Sequence, residues 1–349
     1  MNILVTGGAG FIGFNLLSYL NDLYPNYRLI AIDNLKRLGS ETNITALAKR
    51  GIKFIHGDIR NTQEINMAGA VDIIIHCASD ASILSGITSS SELVIQNNLL
   101  GSINIFEYAV QQNARLIFFS TNRVYGSKSL NEINYSEENT RFKLNQLQTI
   151  HGVSEYGISE EFPLLQSKTF YGATKYCSEI LLMEYAEFYG LKYVINRFGI
   201  VSGKGQFGTR DQGIISYWLK QHYFKEHLCY FGYGGHGKQV RDAIHIMDLC
   251  RIIDLQINNI STIDREIFNI GGGKANSFSL QELTQYCQDI TGNKLVIENS
   301  KEIRPGDIPL YYTDNRKISE KFDWLPKQNL HEILSDLFYW YKEDEKQLS

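Results

Sequence analysis

Residues 2–13 read NILVTGGAGFIG, and this stretch decides the fold. The apolar run from Asn2 to Thr6 predicts a short buried strand, and Phe14 to Leu23 predicts a helix. The glycines between them fit two patterns, Gly8-x-Gly10-x-x-Gly13 and Gly7-x-x-Gly10-x-x-Gly13. Backbone N–H groups at a helix N-terminus bind phosphate, and glycine lets the phosphate approach closely. The stretch therefore predicts a strand, a phosphate-binding turn and a helix.

Further short apolar runs predict strands at Arg28 to Ile32, Ile52 to His56, Asp72 to Cys77, Arg115 to Phe119 and Lys192 to Arg197. Helical stretches separate them, which is typical of βαβ units and a parallel sheet. Later in the chain, Ile267 to Gly273 predicts a strand and turn, and Ser279 to Ile290 a helix with a capping start. We therefore predict an α/β fold: a Rossmann-type doubly wound parallel sheet with a smaller, mixed α/β substrate-binding cap.

The composition of the chain changes near residue 200, which suggests two domains. We assign residues 1–198 to a dinucleotide-binding domain, with 237–272 returning to it. Residues 199–236 and 273–349 form the predicted substrate-binding domain. Glycine clusters and longer polar loops in the second part of the chain support this division.

Asp33 ends the second predicted strand, about 20 residues after Gly13. A carboxylate at this place accepts hydrogen bonds from both ribose hydroxyls and repels a 2′-phosphate. The sequence therefore favours NAD over NADP as cofactor, although Arg37 lies close by and weakens that preference slightly.

Composition excludes several other classes of protein. The chain has 34 basic and 38 acidic residues and a net charge of −4, so its surface has no bulk attraction for nucleic acid or anionic membrane. No apolar run approaches the length of a transmembrane helix. The five cysteines form no C-x-x-C pair, so we expect neither a metal site nor a disulfide framework. We expect a cytoplasmic protein.

Tyr171 and Lys175 stand at i and i+4, on one face of a predicted helix. A nearby ammonium and a cationic nicotinamide ring would favour the phenolate, which could then accept a proton from a sugar hydroxyl. This spacing is common by chance and usually marks a solvated helix face. It becomes informative here because it follows the phosphate-binding turn and Thr121.

Taken together, these motifs resemble the extended short-chain dehydrogenase/reductase family, in its nucleotide-sugar branch. The resemblance covers nearly the whole chain. The motifs that carry it are Thr6 to Gly13, Asp33-Asn34-Leu35, Gly57 to Arg60, Asn98 to Gly101, Thr121 to Gly126, Tyr171 to Lys175, Arg241-Asp242 and Arg304 to Asp307.

The resemblance implies a tightly bound, recycled NAD. It assigns Asp58 and Ile59 to the adenine, Lys175 to the nicotinamide ribose, and the acid/base role to Tyr171. Its full set of cofactor-binding residues is Gly7, Gly10, Phe11, Ile12, Gly13, Asp33, Asn34, Arg37, Asp58, Ile59, Cys77, Ala78, Ser79, Asn98, Tyr171, Lys175 and Phe198. The implied catalytic residues are Thr121, Tyr171 and Lys175.

The resemblance also implies a set of substrate-binding residues: Thr121, Asn122, Gln206, Phe207, Gln239, Arg241, Arg304 and Asp307. Arg241 and Arg304 would grip the nucleotide phosphates, which suits a guanidinium fork. Asn122 and Arg123 replace the acidic pair that sugar 4,6-dehydratases use to eliminate water. The chain departs from the branch at Asp80, at Gly86 and over residues 199–205.

The segments around Asn122, Gln206 and Gln239 resemble the 2-epimerases of CDP-activated deoxysugars. They imply transient oxidation at C2 of a nucleotide-activated deoxysugar and return of the hydride to the other face. The resemblance further implies a homodimer or homotetramer and a place in lipopolysaccharide O-antigen synthesis. A nucleotide-sugar 4-epimerase or 4-keto reductase and a non-catalytic NAD-binding protein remain the alternatives.

Overall fold

The structure is a computed structural model that describes residues 1–343; residues 344–349, the end of the predicted range 273–349, lie outside the described residues. The strands are β1 (Asn2–Thr6), β2 (Arg28–Asp33), β3 (Lys53–His56), β4 (Ile73–His76), β5 (Arg115–Thr121), β6 (Tyr135–Glu137), β7 (Phe142–Leu144), β8 (Val153–Ser154), β9 (Gly157–Ile158), β10 (Tyr193–Phe198), β11 (Ile200–Ser202), β12 (Cys229–Phe231), β13 (Val240–His245), β14 (Glu266–Ile270), β15 (Ser277–Ser279) and β16 (Glu298–Ser300).

The α-helices are α1 (Phe11–Leu23), α2 (Ile44–Lys49), α3 (Thr62–Asn66), α4 (Ser91–Val94), α5 (Gly101–Gln112), α6 (Ser127–Asn131), α7 (Phe170–Tyr189), α8 (Ile214–Phe224), α9 (Ile246–Asn258), α10 (Leu280–Thr291), α11 (Arg316–Phe322) and α12 (Leu330–Glu343). A π-helix over Ile95–Leu100 joins α4 to α5.

Seven strands form the parallel central sheet in the order β14-β10-β5-β4-β1-β2-β3, with flanking helices. β1 lies between β2 and β4, so the strand order reverses there, and Thr6 is opposite both Ile32 and His76. Ligands of doubly wound sheets bind beyond the carboxyl ends of the strands at such a reversal. The predicted Rossmann-type fold is confirmed.

The central strands are apolar along their length because both faces of the sheet are covered. In β1, Ile3, Leu4 and Val5 are fully buried, and Ile73, Ile74 and Ile75 of β4 are equally inaccessible. The helices α5 and α7 contribute Ile105, Phe106 and Leu182 to the same core. This packing fixes the loops that follow β1, β4 and β5.

The described chain divides into two compact units. The first contains Met1–Val124, Phe170–Arg197 and Cys250–Phe268; the second contains Tyr125–Thr169, Phe198–Leu249 and the described residues from Asn269 onward. This division differs from the predicted ranges, because residues 125–169, 198, 237–249 and 269–272 belong to the second unit and not to the first. Two observations account for the difference.

Within the second unit, residues 125–169 form two hairpins, β6 with β7 and β8 with β9. Arg141 lies in the turn between β6 and β7. It makes an ion pair with Glu282 of α10 and donates to the Ser277 carbonyl at 2.8 Å. β13 lies in a three-stranded sheet between β11 and β15. Both segments therefore pack with the later part of the chain.

The core of the second unit is built by α8, α10 and α12, which bury Trp218, Leu283 and Leu337. Ser279 caps α10 and shares a capping box with Glu282, as the sequence predicted. Within residues 1–343, none of the helices combines the length and the apolar character needed to span a membrane.

Candidate active site

The glycine turn connects β1 to α1 and is compact because three glycines allow it. Gly7 has a φ of +67°, and its carbonyl accepts the Gly10 N–H at 3.1 Å. A Cβ on Gly13 would lie 2.2 Å from that carbonyl oxygen, and one on Gly8 would lie 2.6 Å from the Ala31 Cβ. The Gly7, Gly10, Gly13 pattern therefore describes the turn itself, whereas Gly8 packs against β2.

The N-terminus of α1 fits an anionic ligand. Gly10 precedes the helix with no side-chain cap, and the first turn, which begins with Phe11 and Ile12, contains no acidic residue. The unpaired N–H groups of a first helical turn and the helix dipole together favour a phosphate group. The residues present therefore fit the pyrophosphate of a dinucleotide.

Asp33 ends β2 and braces this turn. Its Oδ2 accepts the Ala9 and Gly10 N–H groups at 3.1 and 3.2 Å, and its Oδ1 accepts the Leu35 N–H at 2.8 Å. Burial raises the pKa of Asp33, and these backbone hydrogen bonds oppose that rise. Oδ1 keeps a lone pair for a ribose hydroxyl, so Asp33 can hold both the turn and a ribose.

The residues assigned to the adenine lie after β3. Arg60 binds both oxygens of Asp58, its Nη2 at 2.7 Å from Oδ2, and Asn34 Nδ2 donates to the same Oδ2 at 2.8 Å. These bonds, with that of Arg60 the strongest, hold the pKa of Asp58 well below its usual range. Ile59 is buried, and its Cδ1 would lie 2.6 Å from a Cβ on Gly101. The structure thus brings Asn34, Asp58 and Ile59 together.

The loop after β4 carries Cys77, Ala78 and Ser79 to the glycine turn. The Ala78 N–H donates to Thr6 Oγ1 at 3.2 Å, and a Cβ on Gly7 would lie 3.0 Å from the Ala78 Cα. Burial raises the pKa of the Cys77 thiol, so Cys77 is neutral.

Of the other predicted cofactor residues, Phe198 is the buried last residue of β10. Burial lowers the pKa of Arg37, and the charge of Asp80 opposes this.

Asn98 holds the β4 loop against α7. It is fully buried in the π-helix, where its Oδ1 accepts the Asp80 N–H at 2.7 Å and its Nδ2 donates to the Asp80 carbonyl at 2.9 Å. Nδ2 also lies 3.3 Å from Thr174 Oγ1. π-Helical turns occur often at functional sites. In this structure Asn98 supports the site through these protein groups.

Tyr171 and Thr121 meet where the start of α7 packs against the end of β5. A Cβ on Gly172 would lie 2.1 Å from the Arg123 carbonyl oxygen, so this glycine permits the close approach. Tyr171 is 8% exposed and hydrogen-bonded to Thr121. Burial raises the pKa of Tyr171; the Thr121 hydrogen bond and the charge of Arg123 oppose the rise, and Asp80 adds to it.

Lys175 lies one helical turn after Tyr171 and is buried, with its Nζ 4.3 Å from the centre of the Phe118 ring. Burial lowers the pKa of Lys175 to about 8. In the structure the cation that lowers the pKa of Tyr171 is Arg123, and the expected effect of the Lys175 ammonium and of a bound nicotinamide ring on the phenol stays a prediction. The sequence did not identify Arg123 and Asp80 as charges that act on Tyr171. Arg123 belongs to the motif from Thr121 to Gly126, and Asp80 is a residue at which the chain departs from the nucleotide-sugar branch.

In the second unit, Arg241 of β13 donates from Nη2 to Asp307 Oδ1 at 2.7 Å and to the Ile308 carbonyl at 2.8 Å. The guanidinium carbons of Arg304 and Arg210 lie 4.3 and 4.5 Å from the centre of the Phe231 ring. Burial lowers the pKa of Arg304, and the charge of Arg210 lowers it further. Such a cluster of guanidinium groups suits an anion.

The other predicted substrate residues of the second unit are used in packing. Gln206 accepts from Ser202 Oγ at 2.7 Å and donates to the Val201 carbonyl at 2.8 Å, and Phe207 packs edge-on against Trp340. Gln239 is buried and donates to the Phe231 carbonyl. In the first unit, Asn122 Oδ1 lies 3.5 Å from Thr121 Oγ1. Substrate contacts of these residues stay predictions.

Gly86, one of the departures from the nucleotide-sugar branch, packs closely against Phe170. A Cβ on Gly86 would lie 2.9 Å from the Phe170 side chain, and Gly86 has a φ of +81°, so packing accounts for the departure at this position. Within residues 1–343, the structure contains no group of three or more His, Cys, Asp or Glu side chains that could hold a metal ion.

The fold and these residues define a class: a Rossmann enzyme that binds a dinucleotide beside a Thr-Tyr-Lys set. Residues 3–271 match the NAD dependent epimerase/dehydratase family, and the chain belongs to that family. NAD is its cofactor, and its class of activity is NAD-dependent nucleotide-sugar epimerisation.

Relatives extend the comparison. The chain is 31% identical to CDP-paratose 2-epimerase of Salmonella typhi, over 97% of this chain and 99% of that protein. It is 28% identical to a putative UDP-glucose 4-epimerase of Methanocaldococcus jannaschii, over 99% of each. Among solved structures it resembles UDP-glucose 4-epimerase of Thermotoga maritima with UDP-glucose, with a TM-score of 0.79 and 26% identity over 98% of this chain and 99% of that one.

Proposed function

We propose that this protein epimerises C2 of CDP-paratose to give CDP-tyvelose. The observation that carries the proposal is the full-length 31% identity to a CDP-paratose 2-epimerase, together with Asn122-Arg123 after Thr121. This segment has no carboxylate at the place where dehydratases carry their acidic pair. The proposal therefore favours an epimerisation without loss of water.

The protein groups have distinct tasks in this reaction. Thr121 holds the hydroxyl of the reacting carbon, and Tyr171 takes its proton and later returns it. Bound NAD supplies the chemistry of accepting a hydride from the sugar carbon and giving it back. Lys175 provides a positive charge beside the nicotinamide ribose, and the buried surroundings of Tyr171 exclude water.

Arg241 and Arg304 are proposed to bind the nucleotide diphosphate. Asp307 orients Arg241 through their ion pair, so its contribution to substrate binding is through that arginine. Arg210, beside Phe231, adds a further positive charge to the cluster. The positive cluster supports capture of an anionic donor by a chain of negative net charge.

The second candidate function is a nucleotide-sugar 4-epimerase, favoured by the 4-epimerases among the relatives. The deciding experiment incubates the purified protein with CDP-paratose and, separately, with UDP-glucose, and reads the products by NMR. We expect inversion at C2 of CDP-paratose without consumption of added NAD. Conversion of UDP-glucose alone would establish the second candidate, and Tyr171→Phe is the control for a contaminating activity.

We also propose that the protein is a homodimer, or a tetramer of such dimers. The adjacent helical segments α4 to α5 and α7 expose Leu93, Leu100, Ile180 and Phe188, the last at 75%. Exposed apolar patches mark association surfaces. Light scattering should give a dimer, and Phe188→Glu should shift it towards monomer. We place the protein in the cytoplasm, in keeping with its free cysteines and its proposed ligands.

A further inference from the structure

The first unit contains a buried ion pair that the proposed reaction does not use. Glu179 of α7 is inaccessible, and the side chain of Arg197, at the end of β10, is 2% exposed. Arg197 donates from Nη2 to Glu179 Oε2 at 2.7 Å and from Nε to Oε1 at 3.1 Å. The fork geometry is that of a strong, two-point ion pair.

Stability alone is a poor reason for such a pair. Removing two charges from water costs several kcal/mol per ion, and replacing a buried pair by apolar side chains is often neutral or stabilising. The surroundings of Glu179 and Arg197 include Tyr193, whose pKa is raised by burial. An entirely apolar arrangement would be an ordinary solution at this position. The pair therefore calls for another role.

The first link to the site is a hydrogen bond. Ser120 Oγ donates to Glu179 Oε1, and Ser120 is the residue before Thr121 on β5. Thr121 Oγ1 in turn accepts the Arg123 N–H at 3.2 Å and is hydrogen-bonded to Tyr171. The ion pair thus holds the strand end that places the Thr121 hydroxyl.

The second link is charge. Tyr171, Lys175 and Glu179 are at i, i+4 and i+8, so they share one face of α7. Burial lowers the pKa of Lys175; Cys77 and, after it, Glu179 oppose this effect, and Glu179 is the carboxylate of the two. The other titratable groups facing Lys175 are Cys77, neutral by burial, and His76, whose pKa burial holds well below its usual value.

We propose that Glu179 is a positioning residue for the reaction: paired with Arg197, it fixes Thr121 through Ser120 and retains the positive charge of Lys175 in the buried site. The inference rests on the proposed roles of Thr121 and Lys175. Glu179 itself touches neither substrate nor cofactor in this account. It acts through the two residues that do.

The test measures the titration of Lys175 directly and needs no substrate. Protein labelled with ¹³C at lysine Cε is titrated by NMR, and the Lys175 signal is assigned by its loss in Lys175→Arg. Glu179→Gln keeps the shape and an acceptor for Ser120 but removes the negative charge. We expect the Lys175 midpoint to fall by about one pH unit.

Two matched variants separate the links. Glu184→Gln removes a carboxylate from the exposed side of the same helix, and we expect no movement of the Lys175 midpoint. Ser120→Ala removes the hydroxyl and leaves the charge, so kcat should fall about tenfold with an unchanged Lys175 midpoint. The kcat measurement uses whichever nucleotide sugar the protein converts.

Where Glu179→Gln does not fold, the double variant Glu179→Gln/Arg197→Met removes both charges and leaves none unpaired. The Lys175 midpoint should again fall. A folded variant with a Lys175 midpoint equal to that of wild type overturns the electrostatic part, and full kcat in Ser120→Ala overturns the positioning part. Absence of turnover with every nucleotide sugar contradicts the proposed function and leaves the NMR titration to decide this inference.

Discussion

The glycine turn supports a prediction that separates folding from cofactor binding. Gly13→Ala places a methyl group 2.2 Å from the Gly7 carbonyl oxygen and 2.7 Å from the Gly8 Cα. Both neighbours are backbone atoms of a turn held by Asp33, so neither moves cheaply. Gly10→Ala, in the same turn, places its methyl 3.3 Å from the Gly7 oxygen, and Gly10 has a φ of −72° that alanine adopts.

The two variants should therefore behave differently. Overpacking against fixed atoms costs about 3 kcal/mol, the upper part of the usual range. For a unit of this size, that loss in Gly13→Ala corresponds to a fall in Tm of about 6–12 °C without cofactor. Gly10→Ala should lose less than about 1 kcal/mol of stability, because its methyl needs only a small adjustment. It should nevertheless bind NAD at least about tenfold more weakly, since the methyl group crowds the helix N-terminus.

Differential scanning calorimetry without NAD and isothermal titration with NAD measure the two effects on the same samples. Equal losses of Tm in the two variants would refute the steric reasoning. Unchanged NAD affinity in Gly10→Ala would refute the assignment of the anion site to the start of α1.

Three further predictions follow from the site. Tyr171→Phe should lower kcat by about 10² to 10⁴, the range for a general acid/base, and near-normal turnover removes that role. Asp33→Ala should reduce the NAD retained on purification, measured by absorbance after denaturation. The substitution removes the carboxylate that accepts N–H groups of the glycine turn and that is proposed to bind the ribose. Lys175→Met should raise the stability of the cofactor-free protein by up to about 3 kcal/mol at pH 7. Burial lowers the pKa of Lys175 from 10.5 to about 8, so the cost of burying its charge falls as pH rises from 8 to 10.5. The difference in stability between Lys175→Met and wild type should shrink over that range. A difference that does not vary with pH contradicts this prediction.

Apolar strands were the most readable part of the sequence. β1 has the predicted bounds, β2 and β3 differ from them by one residue at one end, and β4 is shorter by one residue at each end. β5 continues two residues past the predicted end at Phe119, because Ser120 and Thr121 stay in the ladder although both are polar. α1 begins at Phe11 and not at Phe14, since its first turn lies inside the glycine motif that was read as a turn.

The hairpins of residues 125–169 were not predicted. Their strands have two or three residues each, and β6 is mostly exposed, so no apolar alternation marks them. The boundary between the two units was misplaced for the same reason, since contacts such as that of Arg141 with Glu282 join distant parts of the chain.

The motifs predicted the residue types of the site but not its electrostatics. Tyr171 and Thr121 are hydrogen-bonded in the structure, and the effect of Arg123 on the phenol depends on how α7 packs on the β5 loop. Glu179 reads in sequence as one more charge on a helix. Only the fold brings Arg197 and Ser120 to it.

The most direct test of the central claim uses CDP-paratose carrying deuterium at C2, incubated with the enzyme in ordinary water. Because the hydrogen at the reacting carbon leaves and returns as hydride without exchange, we predict CDP-tyvelose that retains deuterium at C2, with no net consumption of NAD. Product that has lost its deuterium to solvent, or CDP-paratose recovered unchanged, would contradict the account.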